Sequence, residues 1–168
     1  LPGLTIVCGD SHTSTQGGLG ALAWGVGNTE ITQVLATQAL ILDRPRTMRV
    51  RLDGTLAPGV SAKDVALALI ARDGADGAAG HALELAGSAV RAMSVEGRMT
   101  LCNLALEFRA RFAFVAPDQS TFAFLRGRRH APAGRAWEEA ERAWRELVSD
   151  EGAPVGTVSI RIDSPKGL

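Results

Sequence analysis

The stretch Leu4-Thr-Ile-Val-Cys-Gly-Asp-Ser-His-Thr-Ser-Thr15 decides the fold, because an apolar run there gives way abruptly to small polar and ionisable side chains. Leu4 to Cys8 reads as a buried strand rich in β-branched residues. Gly9 frees the backbone, and Asp10, Ser11 and His12 follow where the strand leaves its sheet. In α/β proteins ligands bind beyond the carboxyl ends of strands, and an imidazole placed there can exchange protons near neutral pH. The same residues also suit a capped turn, with Asp10 or Ser11 satisfying a helix N-terminus and His12 merely packed. Spacing alone leaves both readings open.

Outward from this stretch, Gly17, Gly18 and Gly20 lead into Ala21-Leu-Ala-Trp24. Gly18-x-Gly20-x-x-Ala23 followed by Asp43 mimics a dinucleotide fingerprint, but some ten residues separate Cys8 from Gly18, whereas the fingerprint puts its first glycine at the strand end. Close helix packing, or close approach of a substrate to backbone, explains these glycines better. Asn28 and Thr29 can cap a helix with Glu30 in its first turn. Ile31, Val34, Leu35, Gln38 and Leu42 give it one mostly apolar face, and Asp43-Arg-Pro45 ends it. A domain boundary is placed there, dividing residues 1–45 from 46–168.

Thr47 to Leu52 alternates as a strand with one solvated face. Ser61 with Asp64 forms a capping box for a helix whose Val65, Leu69 and Ile70 face inward. Residues 73–80 read as a flexible connection and His81 to Leu85 as a strand, with His81 structural. Ser94 opens a helix expected to run to Arg111, so that Asn103 and Glu107, four apart, share one face, while Leu101, Leu104 and Phe108 form its core side. By spacing alone such an Asn/Glu pair is a solvated stripe. Phe112 to Val115 suits a short strand, and Asp118 a cap for Ser120 to Leu125. Arg126, Arg128, Arg129 and His130 form a basic cluster that could hold an anion but reads as solvated surface, because no aromatics interleave it. Ala136 to Val148 is an amphipathic helix carrying Trp137, Ala140, Ala143, Trp144 and Leu147 on one face, and Val158 to Ile162 a final edge strand.

Composition narrows the function classes. Eighteen basic and eighteen acidic residues cancel, so neither nucleic acid nor a membrane surface is implied as partner, and no apolar run reaches spanning length. Cys8 and Cys102 stand isolated, the usage of a reducing cytoplasm. The opening Leu-Pro-Gly, without Met or a basic leader, suggests a piece of a longer protein.

Cys8-Gly-Asp-Ser-His-Thr-Ser-Thr15 resembles the Asp-Ser-His-Thr motif of the aconitase superfamily, closest to its isopropylmalate dehydratase members. Further matches keep the family order: Gly20-Ala-Leu-Ala-Trp-Gly-Val-Gly27, Val34-Leu-Ala-Thr-Gln38, Met93-Ser-Val-Glu-Gly-Arg-Met-Thr-Leu-Cys-Asn103, Val115-Ala-Pro-Asp118 and Ser149-Asp-Glu-Gly152. The resemblance implies a three-layer α/β fold, here the end of a first aconitase-like domain (1–45) and a second (46–168). It implies a hydro-lyase that interconverts 3-isopropylmalate and 2-isopropylmalate by removing and re-adding water, in leucine biosynthesis. Other hydroxyacids of the superfamily (citrate, homoaconitate, a methyl-substituted malate) are the alternative substrates, and a non-catalytic module working only with partner chains is the competing class.

Carried over by the motif, Asp10, Ser11, His12 and Glu107 are the expected catalytic residues, with Glu107 behind the His12 imidazole. Asn103 and Thr15 are expected near substrate and cluster. The family uses a [4Fe-4S] cluster, which needs three thiolates; the resemblance puts those ligands outside this chain, so no metal ligand is assigned here, and Cys8 and Cys102 are neighbours of the site. A small hydroxyacid, the remainder of the large subunit and a separate small subunit are the implied partners. The bulky run Phe108-Arg-Ala-Arg-Phe-Ala-Phe114 stands where the family usually carries small residues, and is expected to crowd the cluster pocket.

Overall fold

In the computed structural model, residues 1–150 and 156–162 are described. Two parallel sheets organise them. The smaller pairs β1 (Thr5–Cys8) with β2 (Leu22–Gly25), and the larger runs in the order β5-β4-β3-β6, all parallel, from β3 (Arg46–Asp53), β4 (His81–Ala86), β5 (Phe112–Phe114) and β6 (Gly156–Arg161). The chain is thus mixed α/β, consistent with a fragment of the aconitase-like fold.

The alternation of β3 has the expected consequence. Val50 and Leu52 are buried against Val65 and Leu69 of α2 (Ala62–Asp73) and Leu101 and Cys102 of α4 (Val95–Leu104), with Leu83 and Leu85 of β4 in the same core. On the opposite face Arg49 sits in register with Glu84, and its Nε donates to the Glu84 carboxylate at 2.8 Å. That cross-strand pair lets a half-covered face tolerate charge. Ser61 caps α2 as expected, with the Asp64 carboxylate accepting from the Ser61 N–H at 2.8 Å. Ser61→Ala should lower stability by about 1 kcal/mol in urea unfolding.

Several expectations are corrected. The strand at Thr5–Cys8 is present but not buried: Thr5 and Cys8 are exposed, Ile6 and Val7 half-buried, and no strand pairs with the outer edge of β1 among the described residues. Helix α1 (Asn28–Thr37) ends before Leu42, with Gln38 in the left-handed region at φ 54°, and none of its residues is fully buried. Its first turn is closed by Glu30, which accepts from the Gly27 N–H at 2.8 Å. Ala143 and Leu147 are exposed, because α6 (Arg135–Arg145) turns only Trp137 and Trp144 fully inward.

Sequence reading missed three elements: β2, the short helix α3 (Ser88–Ala92) and the 3-10 winding of Ser11–Leu19. The 73–80 connection is anchored, since Ala78 is fully buried and its N–H donates to the Phe108 carbonyl at 3.0 Å. His81 is half-buried with Nδ1 3.0 Å from the Ala79 carbonyl, a structural setting. Asp118 caps α5 (Gln119–Leu125) as read from sequence. The edge position of β6 also agrees. Among the described residues, no helix is long and apolar enough to cross a membrane.

The largest correction concerns α4. Ser94 caps it, but it stops at Leu104, seven residues short of Arg111. Phe108 is pulled into the core, where a side chain on Gly77 would meet its ring at 2.3 Å, and Arg109 at φ 59° reverses the chain into β5. Neither Gly nor Pro announces this break. Two phenylalanines of the bulky run lie in cores: Phe108 is buried below α4, and Phe112 packs on Trp24 with ring centroids 5.7 Å apart.

Candidate functional site

Beyond β1 the chain winds tightly on itself. Asp10 is the N-cap of the 3-10 segment, and its carboxylate accepts from the His12 N–H at 2.7 Å. The Thr13 hydroxyl donates to the Asp10 carbonyl and the Thr15 hydroxyl to the His12 carbonyl. The cap of the turn reading is therefore present, but His12 is not packed as that reading had it: its side chain is 49% exposed. Its Nδ1 lies 3.2 Å from Ser11 Oγ and 3.9 Å from the Asp10 carboxylate, while Nε2 has no partner among the described residues.

This segment is docked on α4 by contacts that span some ninety residues of sequence. Ser14 is fully buried and its hydroxyl donates to the Cys102 carbonyl at 3.0 Å, one of the last four carbonyls of α4. Asn103 Nδ2 lies 2.8 Å from Thr15 Oγ1, so two of the expected site residues meet directly. Gly18 faces the Met99 backbone, and an added Cβ would come within 2.6 Å of the Met99 nitrogen. At Gly17 a Cβ would fall 1.8 Å from the Ala113 carbonyl oxygen. Gly17→Ala should therefore cost about 3 kcal/mol or more and undock the segment, as overpacking against rigid backbone does. Denaturant unfolding read with tryptophan fluorescence measures this directly.

The two pieces run antiparallel: Gly18 lies against Met99, Thr15 against Asn103, Ser14 against Cys102, and Ser11 shares a cavity wall with Leu106. Glu107 follows Leu106 in that direction, in the turn beyond α4. Its carboxylate is exposed and makes no hydrogen bond or ion pair among the described residues, to His12 or to any other group. The cavity of about 690 Å³ beside the motif is also lined by Arg109 and Arg111, and Arg109 pairs with Asp76 at 2.9 Å.

A match along the chain decides what this arrangement belongs to. The model of the aconitase family (aconitate hydratase) matches residues 1–164. The chain belongs to the aconitase family. Among curated relatives, the 3-isopropylmalate dehydratase large subunit of Anaeromyxobacter dehalogenans is 58% identical over 152 residues, which are 90% of this chain and 32% of that protein. Large subunit 1 of the same name from Bradyrhizobium diazoefficiens is 58% identical over 153 residues, 91% of this chain and 32% of that protein. The Roseiflexus castenholzii large subunit is 57% identical over 152 residues, again 90% and 32%. The chain thus spans about a third of the length of the aconitase-family relatives it matches.

Ser14, Gly17 and Gly18 were not singled out as site-forming residues from sequence. Their signal was a run of side chains small enough for backbone to approach backbone, which names no chemistry. Cys102 is buried, and burial pushes its thiol far up from the ordinary range, so it is inert. Cys8 is exposed.

Proposed function

We propose that this chain is the part of a hydro-lyase large subunit that presents the proton donor in the interconversion of 3-isopropylmalate and 2-isopropylmalate, a step of leucine biosynthesis in the cytoplasm. The carrying observation is the docking of Asp10–Leu19 on α4, which seats Thr15 on Asn103 and leaves the His12 ring free at its rim. His12, as imidazolium, gives its proton to the departing hydroxyl, which leaves as water; in the return direction the same nitrogen takes a proton from the attacking water. We assign Glu107, in the turn beyond α4 and without a contact to His12 in this structure, to orient the imidazole in the assembled enzyme. Ser11 and Asp10 fix the first turn around it. The proton on the carbon next to the carboxylate is removed by a base outside this chain, on a partner subunit.

The iron–sulfur cluster of the family does not fit the residues present. It needs three thiolates, and the chain has two cysteines, one of them sealed in the core. No group of three metal-ligating side chains occurs among the described residues. We assign the cluster ligands to the remaining length of the large subunit. Incubating the 168-residue chain with iron, sulfide and a thiol reductant should then yield no stoichiometric cluster by visible absorbance and iron analysis; one cluster per chain would refute this assignment.

The function itself is tested on the assembled enzyme, the full polypeptide containing this sequence with its small subunit. Turnover of 3-isopropylmalate, followed by the ultraviolet absorbance of the dehydrated alkene, should exceed turnover of citrate and homoaconitate by about a hundredfold in kcat/KM, within the range that apolar pocket contacts supply. Faster turnover of citrate would reassign the substrate.

A further inference from the structure

The basic cluster near Arg126 is not the featureless solvated surface that its sequence suggests. The aromatics missing from its immediate neighbourhood arrive through the fold. The Arg126 guanidinium lies over the Trp137 ring at 5.0 Å, Arg128 over Phe124 at 3.8 Å, and Arg145 over Phe122 at 4.9 Å. Stacking uses the face of a guanidinium and leaves its in-plane N–H donors available, so it orients an arginine without consuming its hydrogen bonds. These three, with Arg129 and Arg142, line one open cavity of about 950 Å³ between the end of α5 and α6. That is the size of a small-molecule site.

The charge in this cavity is not balanced. Five arginines face two carboxylates, Glu138 and Glu141. Glu141 is committed three ways, to Arg126 at 3.0 Å, to Arg145 and to the Trp137 indole N–H at 2.7 Å. Arg129 and Arg142 are exposed and have no hydrogen-bond or ion-pair partner among the described residues. Arg135, just outside, does have one, Glu139 at 2.9 Å. In a chain whose formal charges cancel, three uncompensated positive charges are gathered in one concave place backed by indole. The cavity shares no residue with the one beside Ser11.

We propose that this cavity binds a small anion carrying two or more negative groups, phosphoryl or carboxylate, gripped by Arg129 and Arg142 against the stacked arginines. Bidentate recognition by planar guanidinium suits both chemistries. A concave site of this volume favours a small ligand over an extended acidic peptide, which a flat stripe would serve.

Trp137 lines the cavity and reports on it. The chain is titrated, at constant ionic strength held with sodium chloride, with pyrophosphate and separately with tricarballylate, following tryptophan fluorescence. A saturable change with a Kd below about 1 mM for at least one probe is expected. The Arg129→Ala/Arg142→Ala double variant should bind at least tenfold more weakly, while Arg72→Ala, on α2, binds as the parent does. Both removed side chains are exposed and unpaired, so far-UV circular dichroism should be unchanged; Arg142→Gln provides a second, milder test. Tighter pyrophosphate binding assigns a phosphorylated ligand, and tighter tricarballylate binding a polycarboxylate. The proposal is overturned by a response that only follows ionic strength, or by equal binding in the double variant. It is equally overturned if a deca-glutamate peptide saturates the site and neither small anion does. None of these outcomes bears on the hydro-lyase reading.

Discussion

Replacing His12 by Ala in the assembled enzyme should lower kcat by about 10²- to 10⁴-fold, the range a positioned general acid supplies. Hydroxide is a poor leaving group, and only protonation during departure lets it leave as water. Because the ring points outward, 49% exposed, and makes no buried contact, its removal should leave the fold nearly untouched. The loss should therefore fall on kcat, with KM changed far less, since the proton is delivered in the transition state. Activity of His12→Ala within threefold of the parent would remove the imidazole from the mechanism.

The largest loss of stability is expected at Arg98. It is fully buried, with both terminal nitrogens on the Asp118 carboxylate at 2.7 Å and one also on the Arg91 carbonyl at 2.8 Å. This fork ties the middle of α4 to the cap of α5, since Asp118 also accepts from the Ser120 and Thr121 N–H groups. Arg98→Ala should cost about 3 to 5 kcal/mol, because it leaves a cavity and strands a carboxylate. Burial alone would raise the Asp118 pKa, but the Arg98 hydrogen bonds and charge more than offset it, and the carboxyl is held below its usual value near 3.8. A carboxyl with a depressed pKa stabilises the fold above its unfolded value and loses that contribution as pH falls through its folded one. Stability of the parent should accordingly drop below about pH 3.8, and Arg98→Ala should flatten that part of the profile. Urea unfolding between pH 3 and 7 measures both effects.

What the sequence disclosed and what it hid follow from locality. Ser61 with Asp64, Ser94, and Asp118 with Ser120 announce helix starts through side chains that bond backbone two or three residues away, and all three starts are present. The alternation of Thr47 to Leu52 likewise fixes its inward face. The end of α4 was hidden because its cause is tertiary: the Phe108 ring is accepted beneath Gly77, thirty-one residues earlier, and no local residue forbids helix there. The exposure of β1 was hidden for a related reason. An apolar run reports that a strand is meant for burial, and Thr5–Cys8 lacks cover among the described residues. The motif residues of the candidate site were legible, but the groups that hold them, Ser14 against Cys102 and Gly17 against Ala113, depend on approaches that only folding creates. The basic cluster is solvated as read, with Arg126, Arg128, Arg129 and His130 all exposed, while the Trp137 ring under Arg126 is brought to it by α6 and was not legible from the cluster itself.

The joining of the Asp-Ser-His segment with the turn beyond α4 into one working unit is most directly measured by a double-mutant cycle on kcat/KM. His12→Asn, Glu107→Gln and the pair are compared in the assembled enzyme, with iron content and cluster absorbance verified in each. If Glu107 acts through His12, the second substitution should add little once the first is made, with a coupling of at least about 1.4 kcal/mol, a factor of ten. Losses that simply multiply, with a coupling near zero, would contradict the pairing on which this assignment of the proton donor stands.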